Sequence, residues 1–131
     1  MTTTALNPAT VPSSPFYSQG IEVRDAGRLV FVSGQVGMTA EGTVPDGVAA
    51  QAAQAVANLG AVLDEAGLTA ADLVKLTIYL TDPSDVEAFV GAVAGTLSDP
   101  PPATTMLIVS ALASPVSRFS CTNALISTPW L

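Results

Sequence analysis

The chain has 131 residues, of which 49% are apolar and 11% charged, with eleven acids against four bases and a formal net charge of −7. That length fits one domain with a modest core, and the charged fraction is under half of the roughly 25% usual in soluble domains, so much apolar surface must be buried, with subunit contacts a natural place. The bases Arg24, Arg28, Lys75 and Arg118 are scattered, which argues against nucleic acid, whose phosphates need clustered Lys or Arg, and against a highly anionic substrate.

Residues 1–13 are rich in Thr, Pro and Ser and read as a flexible lead-in to a single domain over 14–131. Phe16–Val23 and Leu29–Ser33 read as two strands around a turn at Arg24-Asp25-Ala26-Gly27. Gly42, Pro45 and Gly47 then break the segment from Gly37 to Gly47 into a loop. Asp46 is placed to cap the following helix, in which Ala52, Val56, Leu59, Leu63 and Ala66 recur at helical spacing until Gly67 stops it. In Leu73–Leu80, Leu73, Lys75, Thr77 and Tyr79 alternate with Val74, Leu76, Ile78 and Leu80, which predicts a strand with one apolar face. Asp82-Pro83 opens a second helix, with Asp85 and Glu87 complementing its dipole. Its buried stripe is Val86, Phe89, Val90, Val93 and Leu97, and Pro100-Pro101-Pro102 ends it. Thr104–Leu112 and Val116–Ile126 are the last two strands.

This order predicts an α+β fold, a mixed sheet with right-handed crossovers and both helices on one face. The other face is then left uncovered by this chain. Apolar runs fall far short of the ~18–20 residues a membrane span needs, and the N-terminus has neither a basic nor an apolar signal region, so a cytoplasmic location is the default. Cys121 is the only cysteine and there is no histidine. An intramolecular disulfide is excluded, a zinc site or a serine nucleophile with an imidazole partner is disfavoured, and no metal or cofactor is expected.

One stretch is hard to explain by packing alone: Arg28-Leu-Val-Phe-Val-Ser33-Gly34-Gln35, an apolar strand running into a small polar turn. With Tyr17 and Gln19-Gly20, the helix from Gln51 through Asn58-Leu59 to Gly67, the strand Leu73–Leu80, and Pro102-Ala103, it makes residues 14–126 resemble the Rid proteins, the RidA- or YjgF-like reactive-intermediate deaminases. The resemblance implies a chorismate-mutase-like fold with a mixed six-stranded-type sheet. It also implies a homotrimer whose three sheets enclose a barrel, with ligand clefts at the subunit interfaces. Members have been labelled ribonucleases, but this chain offers neither a basic groove nor a histidine base.

The resemblance also marks what is missing. The family's catalytic arginine follows Pro-Ala, and here that position is Thr104; the glutamate thought to position water falls on Phe119, and the second helix's asparagine on Val90. A threonine hydroxyl cannot neutralise a carboxylate as a bidentate guanidinium does, and phenylalanine cannot polarise water. Tyr17, Ser33, Gly34, Thr104, Met106, Phe119 and Cys121 are the expected ligand-binding residues, with Thr104, Cys121 and Tyr17 as catalytic candidates. Each also has a structural reading: Ser33-Gly34 as a strand end, Tyr17 as interface packing, Met106 and Phe119 as lining, Cys121 as a small buried hydrophobe.

Three functions stay open. The first is a divergent Rid protein that binds a small neutral or aromatic metabolite in an intersubunit cleft. It would promote hydrolysis, cyclisation or dehydration of a reactive imine-, enamine- or carbonyl-type intermediate, with specialised biosynthesis as a setting. The second is a non-catalytic metabolite-binding or protective protein. The third is a conventional 2-imino acid deaminase in which a one-residue bulge turns Arg118, rather than Phe119, toward the cleft.

Overall fold

Alanine dominates the chain after Gly47, and with no proline to interrupt it residues Val48–Glu65 form α1, an 18-residue helix. Gly47, at φ 85°, occupies the N-cap, its carbonyl accepts from the Gln51 N–H at 3.1 Å, and no side chain caps the helix. Asp46 therefore sits one residue too early for the cap expected of it. The other end follows expectation: Gly67 takes φ 71°, its N–H donates to the Asp64 carbonyl at 3.0 Å, and the Leu68 N–H reaches the Leu63 carbonyl at 2.8 Å. This paired closure needs a left-handed residue just past the helix, which glycine adopts without steric cost.

The computed structural model describes residues 2–113 and 119–128, the last ten as backbone only. The strands are β1 (Thr2–Leu6), β2 (Gly20–Arg24), β3 (Arg28–Phe31), β4 (Gln35–Val36), β5 (Leu73–Leu80), β6 (Ala103–Ile108) and β7 (Phe119–Thr128), and the second helix is α2 (Val86–Val93). β3, β7, β5 and β6 lie in that order, with β4 also pairing β7, to give a five-stranded sheet; β1 and β2 form a separate antiparallel pair. The fold is α+β as expected, although the strands divide into five and two instead of one six-stranded-type sheet. Thr2–Leu6, within the segment read as a lead-in, is extended because its threonines suit a pleated partner and Gly20–Arg24 supplies one. Phe16–Gln19 stays outside β2, and β4 is an element the sequence reading missed.

The β5–α2–β6 passage makes the sheet's parallel pair, and β7 runs antiparallel to both β3 and β5. Both helices pack on one face of β5. Val48, Ala52 and Ala55 of α1 and Phe89 of α2 meet Leu76, Ile78 and Leu80, while Leu59, Leu63, Leu68, Leu73 and Val32 make a second cluster. Strict alternation would put Leu73 on the side of Lys75. It is nevertheless buried, because the β5–β7 register shifts between Leu73 and Lys75, an extra residue that turns the strand's start toward the helices.

The far face is open in a single chain and carries exposed apolar side chains beside Lys75, Thr77 and Thr105. Phe31 is 72% exposed, Leu29 56% and Leu107 46%, and register puts Phe31 in the row of Lys75 and Leu107 in the row of Tyr79, opposite the helices. Among the described residues no helix is long and apolar enough to cross a membrane.

Candidate ligand cavity

Three consecutive prolines, 100–102, offer carbonyls but no N–H groups, so whatever packs beside them must bring donors. Ser18 does so. It is buried, its N–H donates to the Pro102 carbonyl at 3.2 Å, its Oγ donates to the Pro101 carbonyl at 2.6 Å, and it bridges Ala103 in parallel. This stitch draws Phe16 and Tyr17 alongside the start of β6, where Thr104 stands opposite Leu76 and Met106 opposite Ile78. Phe16, Tyr17, Thr104 and Met106 thereby join Phe89 and Val90 of α2 around a cavity of about 360 Å³.

The cavity's chemistry is apolar with few polar points, as small-molecule sites usually are. Thr104 Oγ1 donates to the Pro102 carbonyl at 3.1 Å, so the hydroxyl's remaining capacity is to accept a hydrogen bond. The described cations are engaged elsewhere. Arg24 pairs with Glu22 at 2.9 Å on the surface, Arg28 donates to the Ala66 carbonyl at the end of α1, and Lys75 Nζ reaches Thr105 Oγ1 at 2.7 Å on the opposite sheet face. None of the three lines the cavity. The described residues also include no cluster of His, Cys, Asp or Glu able to hold a metal ion.

Of the expected site residues, Tyr17, Thr104 and Met106 come together in one chain, and Val90 lies with them. Ser33 and Gly34 do not line the cavity; they are exposed between β3 and β4, where Gln35 Nε2 donates back to the Ser33 carbonyl at 3.1 Å. The Phe119 and Cys121 side chains, and all of Arg118, lie outside the described residues. Their strand's backbone still gives the register: Phe119 stands opposite Leu80, and Cys121 opposite both Ile78 and Gln35. Pairing is regular from Phe119 to Thr122, and the irregularity in β7 falls beyond Thr122. Thr104 pairs with Leu76 and Phe119 with Leu80, so the two rows are roughly 13 Å apart along the sheet at about 3.3 Å per residue.

Sequence reasoning missed Phe16, Ser18 and Phe89 as builders of this site. Ser18 was findable, since a proline run next to a strand demands donors from a neighbour. Phe89, in the buried stripe of α2, serves both purposes, being 3% exposed in the core and a wall of the cavity.

The family profile described as endoribonuclease L-PSP matches residues 8–119. The chain belongs to that family, the Rid proteins. A conserved Rid-family protein of Yersinia pestis shares the fold with a TM-score of 0.82 and 33% identity, over 98% of this chain and 100% of that one. Several curated relatives match over a shorter stretch, and the chain spans about half their length. A RutC family protein of Haemophilus influenzae is 44% identical over 69 residues, 52% of this chain and 53% of the relative. A 2-iminobutanoate/2-iminopropanoate deaminase of Escherichia coli is 40% identical over 70 residues, 53% of this chain and 52% of the relative.

Proposed function

We propose that this Rid protein binds a small, uncharged, flat or apolar metabolite in the cavity at Tyr17, Thr104 and Met106. There it promotes hydrolysis, cyclisation or dehydration of an imine-, enamine- or carbonyl-type intermediate. The observation that carries this reading is Thr104: the residue after Pro102-Ala103 has a hydroxyl whose proton is already directed to a backbone carbonyl. A carboxylate brought there meets an oxygen acceptor and no described cation, so it loses its solvation without a partner, which costs several kcal/mol. A neutral ligand presenting an N–H or O–H donor has no such cost.

The working unit in this proposal is a homotrimer in which the open face carrying Leu29, Phe31 and Leu107 is covered by other copies. Ser33, Gly34 and Phe119 would then complete the cavity from a neighbouring subunit, while Cys121 joins it from the row of Ile78 and Met106. Support comes from the exposure of that face and from the separation of the Phe119 and Thr104 rows along the sheet. The non-catalytic reading places the same ligand in the same cavity without turnover. A cytoplasmic protein and a place in specialised biosynthesis remain part of the proposal. Ribonuclease activity is not, since the described cations are dispersed and the chain has no histidine.

A second reading rests on the name of the Escherichia coli relative, a 2-iminobutanoate/2-iminopropanoate deaminase. For this chain it requires Arg118 to replace the missing guanidinium. One assay separates the readings: 2-imino acids are generated in situ by an amino-acid oxidase, and ketoacid release is followed with and without the protein. Rates equal to buffer support the neutral-ligand reading. Robust turnover abolished by Arg118→Ala would establish the deaminase.

A further inference from the structure

The two apolar clusters under α1 share no buried residue and are bridged by the partly buried Leu97. Between their buried parts lies a second cavity of about 240 Å³, lined on α1 by Val56, Leu59, Gly60, Leu63 and Asp64, all within one helical face, and flanked by β5 and by Phe89, Val93 and Leu97 from α2 and the chain beyond it; it is partly open to solvent, where Asp64 and Thr96 are exposed. Gly60 is part of that lining. It lies in the interior of the helix, where glycine costs about 1 kcal/mol relative to alanine, and a Cβ built on it meets nothing within 4 Å. A residue unfavourable for the helix thus stands in the cavity's lining with open space at its Cβ position.

The polar groups around this space are few. Thr69 Oγ1 accepts from the Ala71 N–H at 3.3 Å and Thr96 Oγ1 donates to the Val93 carbonyl at 2.6 Å, which leaves a donor on Thr69 and an acceptor on Thr96 at the rim. Asp64 disfavours an anion. The remaining lining is mainly leucine, isoleucine, valine and phenylalanine. An enclosed apolar cavity of ~150 Å³ takes up benzene, so by volume this larger, partly open one has room for an aromatic ring with a short substituent.

The geometry points to a second binding site between α1, α2 and β5, separate from the Tyr17–Thr104 cavity, for a small uncharged aromatic or aliphatic molecule held by shape. It does not depend on the function proposed above. The two cavities do share Ile78, Phe89, Val93 and Leu97 as a common wall, so a test must tell them apart.

The test titrates the full chain with toluene and follows backbone amide chemical shifts. Saturable shifts centred on Val56, Gly60, Leu63 and Thr96 are expected, with a raised thermal midpoint. Gly60→Leu should remove the saturable shifts while leaving the midpoint of the free protein unchanged or higher. Gly60→Ala, a smaller change that also improves helix propensity, should weaken binding several-fold and keeps the test decisive if the leucine variant does not fold. Two results overturn the site: no saturable shift in the unmodified protein, or shifts confined to Tyr17, Thr104 and Met106 and indifferent to Gly60→Ala.

Discussion

Gly37 lies against the backbone of Gln51 so closely that a methyl group on it would stand 2.4 Å from the Gln51 carbonyl oxygen and 2.5 Å from its Cα. This contact sets how near the end of β4 approaches α1, and Asn58 fastens it about two turns further along the same helical face. Asn58 Nδ2 donates to the Val36 carbonyl at 3.1 Å and the Met38 carbonyl at 2.8 Å, while its Oδ1 accepts from Gln54 Nε2 at 2.9 Å.

Gly37→Ala should therefore be among the most damaging single substitutions in the chain. Overpacking a well-packed site costs about 1–3 kcal/mol, and here both clashing partners are backbone, which puts the loss at the upper end. Asn58→Ala removes donors from two carbonyls and should cost about 2 kcal/mol. Urea unfolding of both variants checks this; a midpoint for Gly37→Ala equal to that of the unmodified protein would show that the contact relaxes freely.

Ser18→Ala tests whether the stitch to the prolines builds the cavity. Losing the Oγ bond to the Pro101 carbonyl should cost about 1–2 kcal/mol of stability. Its sharper consequence is positional, because Phe16 and Tyr17 are held beside β6 through this residue. Affinity for a cavity ligand should fall by more than the stability loss explains, whereas Ser18→Thr, which keeps the hydroxyl, should restore part of it. Calorimetric titration with a ligand found by screening is the measurement, and equal affinity in Ser18→Ala would remove Ser18 from the site.

What could be read from the sequence was local. The period of Ala52, Val56, Leu59 and Leu63 gives α1, and the β5 boundaries Leu73–Leu80 hold to the residue, because each pattern is set by one element facing one core. The β1–β2 pairing was not legible, since a polar threonine run carries no periodic signal and becomes a strand only when a partner is supplied from residues far along the chain. Leu73 is another instance, its burial turning on a register shift against β7. The site divides in the same way. Thr104 and Met106 follow from β alternation, but the approach of Tyr17 depends on Ser18 meeting proline carbonyls more than 80 residues away, a contact of no local pattern.

Phe31→Asp tests the proposed assembly. The side chain is 72% exposed in one chain, so a charge there should leave the isolated fold nearly as stable, typically within ~0.5 kcal/mol for a surface change. In a buried subunit interface the same carboxylate has no described cation beside it except Lys75, which already serves Thr105. Light scattering coupled to gel filtration should show a trimer for the unmodified protein and smaller species for Phe31→Asp. A stable monomer of the unmodified chain at micromolar concentration would sink the assembly and, with it, completion of the cavity by a neighbour.

Thr104→Arg asks whether the missing cation is what sets ligand choice. Thr104 occupies a half-buried position opposite Leu76, and an arginine can lay its methylenes along the apolar lining while bringing its guanidinium among Tyr17 and Ser98. A carboxylate arriving there would gain a charge-assisted, bidentate partner, and such bonds contribute about 1.5–3 kcal/mol, or roughly 10- to 150-fold in affinity. The neutral ligand of the unmodified protein should bind less well, because the guanidinium takes up volume and offers only donors where Thr104 offered an acceptor. Competition between a ligand carboxylate and its methyl ester, measured on both proteins, reads the switch directly. A preference for the free acid already present in the unmodified protein, unchanged by the arginine, would mean that charge recognition lies elsewhere than Thr104.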